Sequence, residues 1–165
     1  MAILSETNPI AGKRMDKHKS YRRVAREFVL QGIYQWRIAG GTAAFIEAQL
    51  RESDEFKYID EKYFTKLLHG VLEDVEGLDQ RIQPCLDRPL KELSPVECAI
   101  LLLSTYELAN YPEIPYRAII NEAIELARTY GGSDGYKYVN GVLDKLAIQL
   151  RAVEIEAKRQ TKSAE

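Results

Sequence analysis

The run SPVECAILLLSTYEL at 94–108 constrains the fold more than any other stretch of the chain. Ser at the N-cap, Pro at the first helical position and Glu three residues after the cap mark a helix start in which the Ser and Glu side chains satisfy each other's free amides. Behind that start, CAILLLSTYEL is apolar on nearly every side. A helix of this kind needs cover over most of its surface, so the chain must supply other helices to surround a central one starting near Ser94.

Apolar residues recurring every three or four positions supply them. Ser20 is a plausible N-cap for a first helix carrying Ala25, Phe28, Val29, Gly32, Ile33 and Trp36, which Gly40 and Gly41 stop. Thr42 caps a short second helix with Phe45 and Leu50. Phe64, Leu67, Leu68, Val71, Val75, Leu78 and Ile82 describe a third, from about residue 59 to Gly77, a weak point, and then irregularly to 86. After the central helix, Pro115 suits the first position of a fifth, which buries Ile119, Ile120, Ala123, Ile124 and Ala127. Gly131 and Gly132 are expected to end it with positive φ. Ser133 or Asp134 caps a sixth, with Tyr138, Val139, Val142, Leu143, Leu146 and Leu150 on its stripe.

Strand patterning is nearly absent. The expected fold class is all-α, two packed three-helix bundles, three helices before residue 94 and three from it. The expected organisation is a mobile basic N-terminal arm at 1–19, a single helical domain at 20–150 with subdomains of about 20–90 and 91–150, and a polar tail at 151–165 that frays before Glu165.

A chain of 165 residues, 45% hydrophobic and 29% charged, suits an ordinary soluble domain with a sizeable core. Its start lacks the basic region of a signal peptide, and no apolar run nears the roughly 20 residues of a spanning helix. A cytoplasmic protein is expected. Cys85 and Cys98 have no further cysteine or histidine at metal-ligand spacing and read as free thiols. Neither HExxH, GxSxG, a Rossmann fingerprint nor a P-loop occurs, and His69 sits among apolar neighbours as a structural residue. No reaction, cofactor or metal is expected.

Charge supplies the functional lead. The formal net charge is −2, yet HKSYRRVARE at 18–27 gathers Lys19, Arg22, Arg23 and Arg26, with Lys13, Arg14 and Lys17 upstream. Spaced three or four apart, the four form one stripe about a quarter turn from the core stripe. Like charges at that spacing repel, and a helix N-terminus disfavours cations. An anionic polymer would relieve the conflict, and Tyr21 offers a ring beside it. A solvated face is the alternative. The turn TYGGSDGYKY at 129–138 is a second candidate: Lys137, Tyr130, Tyr136 and Tyr138 could meet a phosphate or base at the helix start. The plainer reading is a helix end, a turn and a cap made by Asp134, with Tyr138 in the core.

Four blocks, RRVAREFVLQGIYQW, SPVECAILLLSTYEL, IPYRAIINEAIELARTYGG and YKYVNGVLDKLA, resemble in order the NusB family of bacterial transcription antitermination factors, over about residues 22–147. The resemblance implies a fold of two three-helix bundles. It further implies binding of boxA RNA in ribosomal RNA transcripts together with NusE, a small-subunit ribosomal protein, so that RNA polymerase reads through terminators. Carried over by position, Arg22, Arg23 and Arg26 become RNA contacts, with Lys19 beside them. Asp134 matches an aspartate implicated in RNA recognition, and Tyr130 and Lys137 adjoin it. Tyr34 and Glu97 fall on positions associated with NusE, so Glu97 has both a capping and a partner reading. Tyr21 and Val24 interrupt a run that can be denser in arginine, and the arm before Ser20 is longer than the family minimum. Some RNA methyltransferases carry a NusB-like domain before an α/β domain; the length of this chain argues against one. A helical adaptor without RNA binding is the alternative function, and monomer and homodimer both stay open.

Overall fold

Ser20 opens the first helix as its spacing predicts, its hydroxyl accepting the Arg23 amide at 3.1 Å. In the computed structural model, which describes residues 20–164, helix α1 runs Tyr21–Ala39 and stops at Gly40, whose φ of 72° few other residues adopt. The expected arm at 1–19, Lys19 included, lies outside the described residues. Thr42 then caps α2, Ala43–Leu50. A 3₁₀ turn, Asp54–Tyr58, follows. It places Phe56 edge-on to Phe28 and Phe64, with ring centroids 5.5 and 5.1 Å away, a geometry aromatic quadrupoles favour.

The expected third helix is two. Helix α3, Glu61–Glu73, ends at Asp74, and α4, Val75–Ile82, starts from that same residue. The break falls at Asp74 and not at Gly77, because Asp74 leaves the helical region (φ −133°, ψ 35°) while Gly77 stays inside α4. An added Cβ on Gly77 would stand 2.4 Å from an Asp74 carboxylate oxygen, so glycine there makes room for the junction.

Helix α5, Pro95–Asn110, is the central helix. Eight consecutive residues at 98–105 are buried. Its cover comes from α1, α3 and α4 on one side and from α6, Tyr116–Tyr130, and α7, Gly135–Leu150, on the other. The two-bundle division therefore holds, with α5 as the shared member, and no strand occurs among the described residues. Close approach is built in at Gly32, where a Cβ would lie 2.9, 3.1 and 3.2 Å from side chains of Leu68, Leu50 and Ile46, pulling α1, α2 and α3 together.

Three local expectations differ from the structure. Pro115 is the residue before α6, in the capping position, and not its first helical one. Gly131 ends α6 in extended backbone with φ −90°, its amide bonded to the Ala127 carbonyl, so positive φ is not what stops the helix. The polar tail at 151–165 does not fray at its start: it forms α8, Ala152–Ala164. Arg151, only 6% exposed, anchors that helix by donating to the carbonyls of Leu108, Tyr111 and Ile114 at 2.7, 2.7 and 2.9 Å. Among the described residues, no helix is long and apolar enough to cross a membrane.

Candidate nucleic-acid interface

The stripe at the start of α1 divides once the other helices are in place. Arg26 is 6% exposed and turned inward onto Glu107 of α5, itself 1% exposed. Its Nε and Nη2 donate to the two carboxylate oxygens at 2.9 Å each, and Nη2 also donates to the Tyr63 hydroxyl at 3.1 Å. Tyr63 donates in turn to Glu107. Burial works against the Arg26 charge, but the Glu107 hydrogen bonds and field outweigh it, so the guanidinium is held more firmly than usual. Burial, reinforced by the Glu107 charge, pushes the Tyr63 phenol well above its ordinary pKa, which keeps it a donor. Arg26 therefore ties α1 to α3 and α5 and does not face outward with Arg22.

Arg23 is half-exposed but engaged: its Nε and Nη2 donate to Glu122 of α6 at 3.0 and 2.8 Å. That hydrogen bonding raises its pKa further. Arg22 alone of the three is exposed and takes part in no ion pair among the described residues. Its guanidinium lies over the Tyr63 ring, 4.5 Å from the centroid, leaving its N–H groups for a ligand.

The turn after α6 is also sorted by burial. Tyr130 is 4% exposed and donates to the Glu27 carboxylate at 2.6 Å, so its ring is core and no stacking platform. Asp134 makes no capping bond; its carboxylate is 79% exposed with Lys137 Nζ 3.5 Å away. Asp134 thus holds the N-cap position of α7 as expected, but with its side chain free of the cap. Tyr136 supplies the ring that Tyr130 does not: Arg128 lies over it at 4.6 Å and Lys137 at 5.9 Å. Tyr138 is half-buried, stacked under Arg88 at 4.5 Å with its hydroxyl on Asp87 at 3.0 Å. Arg88 and Arg128 were not selected by sequence, since each stands isolated in a mixed-charge helix or loop.

A groove lined by Arg23 of α1 and by Asn121, Glu122, Ile124, Glu125 and Arg128 of α6 runs from the α1 start along α6, and beyond it Arg128 lies over Tyr136 and Tyr130 bonds back to Glu27 of α1. The start of α1 and the α6–α7 turn thus share one side of the molecule, as a single ligand requires.

Of the two positions expected on the partner side, Tyr34 is half-buried against the core. Glu97 gives its amide to Ser94 Oγ at 3.1 Å, but its carboxylate does not return to the cap. It lies instead against Gly135 at the start of α7, where an added Cβ would be 2.5 Å from Oε1. Its two readings therefore do not compete, because the cap uses only its backbone.

Residues 23–148 match the NusB family model. The chain belongs to the NusB family. The transcription antitermination protein NusB of Nitrosospira multiformis is 66% identical over 133 residues, covering 81% of this chain and 84% of that one. The fold agrees with that of T. maritima NusB (TM-score 0.69, 33% identity, 78% of this chain and 92% of that one). It also agrees with a crystal structure of the antitermination factors NusB and NusE in complex with double-stranded RNA (TM-score 0.70, 25% identity, 76% and 95%). The NusB match begins at Arg23, inside the basic stripe, and ends before Arg151, so Tyr21, Arg22 and helix α8 lie outside it.

Proposed function

We propose that this chain is an RNA-binding transcription antitermination factor that binds boxA RNA of ribosomal RNA transcripts together with NusE and helps RNA polymerase read through terminators. It acts in the cytoplasm by binding and not by catalysis. The observation that carries the reading is the shared side formed by the α1 start and the α6–α7 turn, on a fold like that of the NusB found with NusE and RNA. Arg22 and Lys137 supply phosphate affinity; the exposed Asp134 carboxylate, an acceptor for base amino groups, supplies discrimination. Tyr34 and Glu97 belong to the NusE side.

A titration of boxA-like RNA against salt, with and without NusE, tests this. The logarithm of the affinity should fall linearly with log salt, and affinity should rise when NusE is present. Binding indifferent to both salt and NusE would favour the adaptor reading, which the internal pairing of Arg23 and Arg26 also accommodates. Asp134→Asn should reorder the affinities of boxA variants while changing stability by less than about 0.5 kcal/mol, as expected of an exposed residue without a structural bond. An unchanged ranking would remove Asp134 from recognition.

A further inference from the structure

Arg22 reaches beyond its own helix. It covers the Tyr63 ring at 4.5 Å, the Tyr63 and Tyr111 centroids are 5.3 Å apart, and Lys66 Nζ lies 4.5 Å from the Tyr111 centroid. Two cations and two rings therefore alternate across the seam where α1, α3 and the end of α5 meet. Both cations are exposed, and neither takes part in an ion pair among the described residues. Glu107, the carboxylate beneath them, is already committed to Arg26 and Tyr63. The seam thus presents two exposed cations, Arg22 and Lys66, against one exposed carboxylate that reaches Tyr111, that of Glu113.

Tyr111 adds an observation of a different kind. It is 3% exposed, and its hydroxyl has no hydrogen-bond partner among the described residues. A buried hydroxyl left unpaired costs about 1–3 kcal/mol, so such a group calls for an explanation. Burial pushes the Tyr111 phenol above its ordinary pKa, and the Glu107 and Glu113 charges push it the same way against the weaker pull of Arg22, so the hydroxyl stays a donor. Lys66, over its ring, is a flexible side chain that can turn toward an anion and bring an acceptor oxygen with it.

We propose that this seam seats a backbone phosphate of the RNA, with Arg22 and Lys66 as its paired cations and the Tyr111 hydroxyl as a donor. The proposal rests on the RNA-binding reading and extends its surface from α1 onto α3, whose residues carry no part of the basic stripe. The phosphate gives the orphan hydroxyl an acceptor and draws the two cations from ring faces to a full charge.

The test is RNA binding by the full chain across a salt series, for the unaltered protein and for Lys66→Ala, Tyr111→Phe and Lys91→Ala. Lys91 shares a groove with Arg37, near the other end of α1, and serves as the control. Lys66→Ala should weaken binding about fivefold and shallow the salt slope by about 0.7, the value of one single-strand phosphate contact. Tyr111→Phe should weaken it about threefold with an unchanged slope, since a neutral donor is lost, and should leave the melting temperature equal or higher. Lys91→Ala should match the unaltered protein. An unchanged slope in Lys66→Ala, unchanged affinity in Tyr111→Phe, or a Lys66→Ala defect confined to NusE association would overturn the proposal while leaving the RNA reading intact. Failure of the unaltered protein to bind RNA would overturn both.

Discussion

Glu107→Ala is expected to lower the unfolding free energy by about 3–5 kcal/mol, read as a lower denaturant midpoint at an unchanged m-value. Glu107 is 1% exposed and receives Arg26 through both oxygens and Tyr63 through its hydroxyl. Removing the carboxylate leaves a buried guanidinium whose remaining carboxylate neighbour is Glu122, 4.0 Å from Nη1 and already bonded to Arg23. The cost is that stranded charge, not the worth of the pair, because bringing two charges out of water nearly cancels their attraction. Hence Arg26→Met with Glu107→Leu should recover most of the loss, and a double variant as unstable as Glu107→Ala would refute the account. A consequence follows for RNA work. Joint replacement of Arg22, Arg23 and Arg26 by Ala would lose binding mainly through unfolding, so a stable, fully helical Arg26→Ala that fails to bind RNA would restore Arg26 to the interface.

That division of the arginines marks where sequence stops being informative. Caps at Ser20, Thr42 and Ser94 are legible because each is settled by an amide three residues away. Arg22 and Arg26 are indistinguishable by helical spacing, yet one faces solvent and the other Glu107, a residue 81 positions distant. One signal was available. Glu107 stands in STYEL, within a helix buried all round, and a carboxylate there must find a cation or a donor. Tyr130 could likewise be assigned to the core from Ala123 and Ala127 on the turns before it, by the same period that selects them. The start of α7 is less accessible: nothing local says that the Glu97 carboxylate of α5 lies against Gly135.

Arg151 lay outside every periodic pattern, and Arg151→Ala should cost about 3–5 kcal/mol. Its guanidinium donates to three carbonyls, those of Leu108 in the last turn of α5 and of Tyr111 and Ile114 in the connection to α6. A helix C-terminus leaves its last carbonyls without intrahelical partners, and the planar fork of arginine meets several at once. Arg151→Lys, with one compact ammonium, should regain less than half of the loss. Glu154 continues the device: it accepts from Arg151 and from the Tyr116 amide at the start of α6. Helix α8 itself contributes no buried residue, so removal of residues 152–165 with Arg151 retained should cost only about 1–2 kcal/mol, through lost Ile155 packing and the Glu154 bond. The order is the discriminating result. If deleting the helix destabilises more than truncating the single arginine before it, α8 and not Arg151 holds the α5–α6 connection.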